Sequence, residues 1–192
     1  MELCLTGRLM GAEEAERELR TYLGGAGADL PVRQLKIRSG HRERFWERNC
    51  VAVGLAAGFL EPLEASAIVL IELSAKLIAE QLPACREVMD TVARRFNGTT
   101  SYRWGRIVDF LKLHYALTQR TDTNFWRDNV RTETMSDRLR ELMELWKFQS
   151  PWLHDEFDRV EEVFPAASYQ YVLYGMGART ALIPGMLDEE IA

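Results

Sequence analysis

The stretch NCVAVGLAAGFLEPLEASAIVLIE, residues 49–72, constrains this chain more than any other. It begins as a short β-branched run and passes through small residues. It then places Glu61, Pro62 and Glu64 inside the longest apolar segment, 51–71. That interruption makes a membrane span a poor reading. Pro62 sets its own φ and biases Glu61 away from the α region, so helix entry is expected just after Leu63. The first N–H groups then belong to Ala65, Ser66, Ala67 and Ile68 and have no acceptor within the helix. With the helix dipole behind them they form a natural anion site, and small side chains let a ligand approach the backbone. Glu64 sits at the mouth of that site, where a carboxylate can orient or deprotonate a bound group. The plainer alternative is that Glu64 only caps the helix and complements its dipole.

Length and composition narrow the class. The 192 residues suit one unit, and 47% hydrophobic content is enough for a core. A net charge of −5 lacks the basic footprint of a nucleic-acid binder. The short basic runs HRER (41–44) and ARR (93–95) read as solvated faces. Cys4, Cys50 and Cys85 form no CxxC pair and have no histidine at ligand spacing. Neither a zinc site nor a disulfide framework is expected; the cysteines read as small buried hydrophobes in a reducing compartment. No basic-then-apolar leader opens the chain, so a cytoplasmic location is expected.

Periodicity gives an α+β fold that is mostly helical. Residues 2–10, VRQLKIRSG (32–40) and NCVAVGL (49–55) read as strands, with a helix over 12–23 that GGAGAD ends. From 65 onward the pattern is helical. The helix over 65–82 is apolar nearly all round at its start, which predicts burial. A segment over 84–96 is expected to break at NGTT (97–100), followed by a long helix over 101–118 carrying Ile107, Phe110, Leu111, Leu113, His114 and Leu117. Ser136 is a plausible N-cap for DRLRELMELWKF, and ASYQYVLYGMG reads as a last short helix ending on Gly175 or Gly177. Trp46, Trp104, Trp146 and Trp152 are assigned to core or interface, Phe125 and Trp126 to packing, and His114 and Tyr115 to a core network. The chain thus divides into a strand-rich part with one helix (1–64) and a helical part (65–192). Its few strands have no sheet to complete them, which suggests a missing partner.

The opening stretch resembles a specific family. NCVAVGLAAGFLEPLEASAI is similar to NCVAIGLSxGFLEPLESTxIHLI, a run carried by the C-terminal half of the flavin-dependent tryptophan halogenases. RSGHRERFWERNC resembles the approach to that run, GRRxxxWxxNC. DFLKLHYALTQRTDTNFWR (109–127) resembles DFIxLHYxxTxRxDxxFW, and GRLMGAEEAERELRTYLG resembles the family's strand-then-helix segment. The likeness covers residues 5 to 178. It implies FAD reduced by a separate flavin reductase, and a chloride or bromide oxidised to hypohalous acid. That oxidant reaches a lysine and a glutamate beside an indole-like aromatic substrate. The resemblance puts the glutamate at Glu64, the halide on the backbone amides of Ser66 and Ala67, and flavin contacts at Leu55 and Ile68.

The chain also departs from the family. It has no GxGxxG and no GWxWxIP. The catalytic lysine belongs to that N-terminal half, and Lys36, Lys76, Lys112 and Lys147 stand in no matching context. Ala65 and Ser66 replace the usual Ser and Thr, which leaves the amides intact. Pro165 follows Phe164 where the tryptophan-specific members carry FW, which points to indoles or larger aromatics rather than free tryptophan. Phe164, Tyr169 and Tyr171 are weak candidates for a substrate pocket; the alternative for the tyrosines is helix packing. The expectation is a C-terminal portion that supplies Glu64 and the halide amides to a flavin domain elsewhere, is inactive alone, exposes an apolar patch and self-associates. The alternatives are a non-catalytic relic or a helical module that binds aromatic ligands.

Overall fold

A computed structural model describes residues 11–27, 29–34, 39–152 and 162–181. The expected first strand, 2–10, lies outside them, as do residues 35–38 of the second.

Helix α1 spans Ala12–Leu23 and ends at Gly24, whose φ is +62°. Its apolar stripe is not covered: Leu19 and Leu23 stay about half-exposed and the helix buries no residue. Four two-residue strands follow: β1 Gly40–His41, β2 Trp46–Glu47, β3 Cys50–Val51 and β4 Gly58–Phe59. They pair antiparallel, β1 with β4 (Gly40 opposite Phe59) and β2 with β3 (Trp46 opposite Val51). The expected strand over 49–55 is therefore much shorter, because Gly54–Ala56 turns away as a 3₁₀ segment. Helices α2 (Ser66–Gln81), α3 (Met89–Ala116), α4 (Asn124–Asn129), α5 (Asp137–Leu145) and α6 (Ala166–Gly175) complete the described order. The fold is α+β with helix predominant, as the periodicity indicates.

Three expectations are corrected. Helix α3 runs unbroken through NGTT for 28 residues, about 42 Å at the usual rise. The supposed breaker is a latch. Asn97 Oδ1 accepts from the N–H groups of Phe45 and Trp46, both at 2.8 Å, and Asn97 Nδ2 donates to the Trp46 carbonyl at 2.8 Å. The side chain that lowers helix propensity thereby fastens the β2–β3 hairpin onto α3. Second, α2 is not buried all round: only Ser66, Leu70 and Ser74 are buried, and Ile68 is 64% exposed. Third, Cys50 and Cys85 are exposed thiols rather than core residues; Trp152, assigned to core or interface, is exposed and so lies outside the core.

The core forms two linked clusters along α3. One gathers Phe45, Trp46, Leu60, Leu70, Phe96, Trp104, Ile107 and Leu111. The other gathers Phe110, Leu113, Leu139, Leu142, Trp146, Tyr169 and Leu173, with Phe164 packed against both. The Ser136 hydroxyl accepts from the Leu139 N–H at 3.0 Å, the expected cap of α5. Gly58 marks a close approach: a Cβ there would lie 2.6 Å from the Gly40 carbonyl oxygen and 2.7 Å from the Trp104 ring. Only glycine lets β4 press β1 onto that indole.

Candidate functional site

The turn before α2 is the most constrained backbone in the structure. Leu63–Ala65 makes a 3₁₀ turn, closed by the Ala65 N–H to the Pro62 carbonyl at 3.1 Å, and α2 starts at Ser66. Glu64 and Ala65 both have positive φ, +62° and +51°. Left-handed conformations cost a non-glycine residue on the order of 1–3 kcal/mol each and persist where surroundings impose them.

Here α3 imposes them. The Tyr115 hydroxyl donates to Glu61 Oε2 at 2.6 Å, and His114 Nε2 meets Glu64 Oε1 at 3.2 Å. Both glutamates of the motif are therefore strapped to adjacent residues of one helix. Glu61 is half-buried, which suits a structural tie; Glu64 is exposed at the turn, which suits contact with a ligand. His114 is fixed in turn by Nδ1 at 2.9 Å from the Phe110 carbonyl and by the Phe110 ring edge-on at 5.0 Å.

Ser66 is fully buried, and its hydroxyl has no hydrogen-bond partner. Ala67 is exposed and lines a cavity of about 210 Å³ together with Gly54, Leu55, Leu70, Ile71 and Trp104. Leu55 and Ile68 are 80% and 64% exposed. The residues expected to hold halide and flavin thus gather at one end of α2. Three N–H groups, from Ser66 to Ile68, open that helix without acceptors inside it.

The aromatic candidates separate. Phe164 stacks on Phe110 with ring centres 3.9 Å apart, and Phe110 also carries His114 and hence Glu64. Tyr169 is fully buried, packed on Phe110 and Trp146; burial pushes its hydroxyl pKa well up. Tyr171 is 81% exposed on the same helix and is not brought to that cluster.

A second cavity, about 350 Å³, lies on the other side of Leu60 and Trp104, lined also by His41, Arg106, Asp109, Ser136 and Arg138. Asp109 accepts from the Ser136 hydroxyl at 2.7 Å and pairs with Arg138 at 3.4 Å. Burial raises its pKa to about 6 against the pull of the Ser136 hydrogen bond. Arg106 stacks over Tyr102, and its Nε and Nη1 are buried without hydrogen-bond partners. On α3, Lys112 is buried and donates to the Asn129 carbonyl and Oδ1 at 2.9 and 2.8 Å; burial lowers its pKa to about 8. Sequence reasoning put Tyr115 and His114 in a core network without finding their glutamate partners, and it assigned nothing to Asp109 or Lys112. All four lie in the DFLKLHY run; its charged residues on buried helical positions were the available signal.

Among the described residues no cluster of three metal-binding side chains occurs, and no helix is long and apolar enough to cross a membrane. The tryptophan halogenase family model matches residues 5–189. The chain belongs to the flavin-dependent tryptophan halogenase family. It is 35% identical to a tryptophan 6-halogenase of Streptomyces toxytricini, covering 86% of this chain and 31% of that protein. It superimposes on a crystal structure of a tryptophan halogenase from Shewanella frigidimarina with TM-score 0.86 and 44% identity, over 93% of this chain and 34% of the other. A flavin-dependent halogenase from a Brevundimonas species matches with TM-score 0.77 and 33% identity, over 90% and 34%. This halogenase-family chain therefore spans about a third of the length of these relatives.

Proposed function

We propose that the turn Leu63–Ala65 and the start of α2 form the carboxylate-and-halide portion of a flavin-dependent halogenase active site. The observation that carries this is the double strap of Glu61 to Tyr115 and Glu64 to His114. It holds one carboxylate at the open end of a helix whose first N–H groups are free to take an anion. The backbone N–H groups of Ser66 and Ala67 hold chloride or bromide. Glu64 takes the proton that an aromatic ring loses as halogen replaces hydrogen, and orients the incoming oxidant. The substrate is an indole-like or larger aromatic compound, and Phe164 forms part of its pocket wall. Tyr169 supports that wall from the core; Tyr171, on the exposed side of α6, contacts substrate only at the rim.

FAD fits this surface in part. Exposed Leu55 and Ile68 beside the 210 Å³ cavity suit the edge of a flat flavin ring. The sequence contains no GxGxxG to cradle a dinucleotide phosphate, so the rest of the cofactor needs residues beyond this chain. When bound, the flavin, reduced by a separate reductase, would activate oxygen, and oxygen would be the two-electron oxidant that turns halide into hypohalous acid. The chain's own residues position halide and proton acceptor.

The test is halogenation of indole with FAD, reductase, oxygen and halide. The 192-residue chain alone is expected to give no haloindole. Fused behind the flavin-binding portion of a relative, it gives haloindole, and Glu64→Gln lowers that rate at least about a hundredfold. Haloindole from the chain alone, or a Glu64→Gln fusion of undiminished rate, overturns the reading.

A second reading draws on the 350 Å³ cavity. Trp104 and His41 offer ring surface there, and Arg106 offers unpartnered buried donors, a set suited to a flat aromatic anion. Titrating the chain with indole-3-carboxylate and following tryptophan fluorescence decides it. Saturable binding lost in Arg106→Leu supports a binding module, and no saturation rules it out.

A further inference from the structure

The hydrogen bonds of His114 say more than that it touches Glu64. Its Nδ1 lies 2.9 Å from the Phe110 carbonyl oxygen, one turn back on α3. A carbonyl only accepts, so Nδ1 carries a proton whether the ring is charged or neutral. That leaves Nε2 as the nitrogen that gains and loses the proton. Nε2 faces Glu64 Oε1 at 3.2 Å. A bare imidazole nitrogen and a carboxylate oxygen are both acceptors. They meet at hydrogen-bond distance with one proton between them, on the imidazolium or on the carboxylic acid, so this geometry is the proton-loaded pair, which accepts again once that proton has left.

We propose that His114 is the positioning residue that manages the proton of Glu64, a backbone-locked imidazole whose Nε2 relays protons to and from that carboxylate. The inference rests on the reading of Glu64 as the proton acceptor in halogenation. The ring C–H bond breaks after the carbon–halogen bond has formed from hypohalous acid. Its electron pair returns to the aromatic ring and its proton goes to Glu64. The proton then passes from Glu64 to Nε2 of neutral His114, giving imidazolium and restoring the carboxylate, with no change of oxidation state in either residue. The hydroxide left by the oxidant takes that proton from Nε2 and leaves as water, which returns His114 to the neutral ring, so aromatic C–H and hypohalous acid give aromatic C–halogen and water.

The surroundings leave this pair to itself. The neighbouring Tyr115 hydroxyl is committed to Glu61 at 2.6 Å. Lys112, the nearest basic side chain along α3, is committed to Asn129. The Phe110 ring stands at 90° to the imidazole and fixes its plane. Among the described residues Glu64 has no other hydrogen-bond or ion-pair partner.

The test uses the 192-residue chain labelled with ¹⁵N and ¹³C, and needs no catalysis. Long-range proton–nitrogen spectra, with His114 assigned by the loss of its signals in His114→Gln, report which nitrogen is protonated. Above the histidine titration range the neutral ring is expected with the proton on Nδ1 and a bare Nε2. A neutral ring protonated on Nε2, or an even mixture of the two tautomers, overturns the proposal. The Glu64 carboxyl ¹³C resonance is expected to move as His114 titrates and to lose that movement in His114→Leu. A Glu64 signal blind to His114 titration overturns it equally. These readouts fail independently of the Glu64 assignment: a Glu64→Gln fusion of undiminished rate would sink the assignment and leave the tautomer unchanged.

Discussion

At the scale of single residues, position rather than chemistry separates the two motif glutamates. Glu61 is held half-buried under the Tyr115 hydroxyl, while Glu64 sits in the open on a left-handed turn. In a halogenase completed with a flavin-binding portion, Glu64→Gln is expected to lower kcat about 10²–10³-fold, the usual range for a lost acid–base group. Asp109 makes a different residue-scale prediction. Its carboxyl titrates at about 6 in the folded chain against 3.8 for the reference group. Between those values the folded state binds the proton and the unfolded state does not. The contribution of Asp109 to stability is full below 3.8 and is lost as pH rises through 6. Going from pH 7 to pH 5 should raise the wild-type unfolding free energy by about 1 kcal/mol relative to Asp109→Asn. Urea titrations of both proteins at the two pH values measure the difference; parallel behaviour would refute it.

At the scale of elements, α3 is the organiser. It carries the hairpin latch at Asn97, the wall of both cavities at Trp104, and the straps at His114 and Tyr115. Asn97→Ala improves intrinsic helix propensity, yet should destabilise the fold by about 2–3 kcal/mol, because two backbone N–H groups and one carbonyl lose their partner. Gly98→Ala, one residue on, should stabilise by about 0.5–1 kcal/mol, since a Cβ there meets nothing within 4 Å. Chemical denaturation of the two variants tests the unbroken helix directly; loss of stability in Gly98→Ala would contradict it. Gly58→Ala should be severely destabilising by the same measurement, given backbone at 2.6 Å from the added carbon.

At the scale of the whole molecule, the exposed apolar surface is the main feature. Leu55, Ile68 and Ile71 are 80%, 64% and 43% exposed, and Leu55 and Ile71 line the 210 Å³ cavity. A patch of this kind favours association. Light scattering is expected to show an apparent mass that rises with concentration, and Leu55→Glu with Ile68→Glu should reduce it without loss of helicity. A concentration-independent monomer would remove that expectation. The same patch holds Leu55 and Ile68, the two positions proposed above to meet the flavin ring.

Local signals carried far along this chain. The spacing of apolar residues located α1 and α6 within a residue or two and the start of α5, which ends three residues short of the expected Phe148, and Ser136 announced the cap that the structure places on Leu139. GFLEPLEAS identified the family and pointed to Glu64, because Pro62 fixes where the helix begins and a helix start has free N–H groups wherever it occurs. What lies between distant segments was not legible. Asn97 reads as a helix breaker until Phe45 and Trp46 arrive to use its amide, some fifty residues away in sequence. His114 and Tyr115 read as core until Glu64 and Glu61 are brought against them across a similar span. The apolar start of α2 reads as buried, yet its burial depends on which neighbours are present rather than on its own composition. The sequence by itself pointed to the family, to the start of α2 and to Glu64 as the candidate carboxylate; the tertiary structure alone decided which side chain each carboxylate meets, because hydrogen bonds form between neighbours in space.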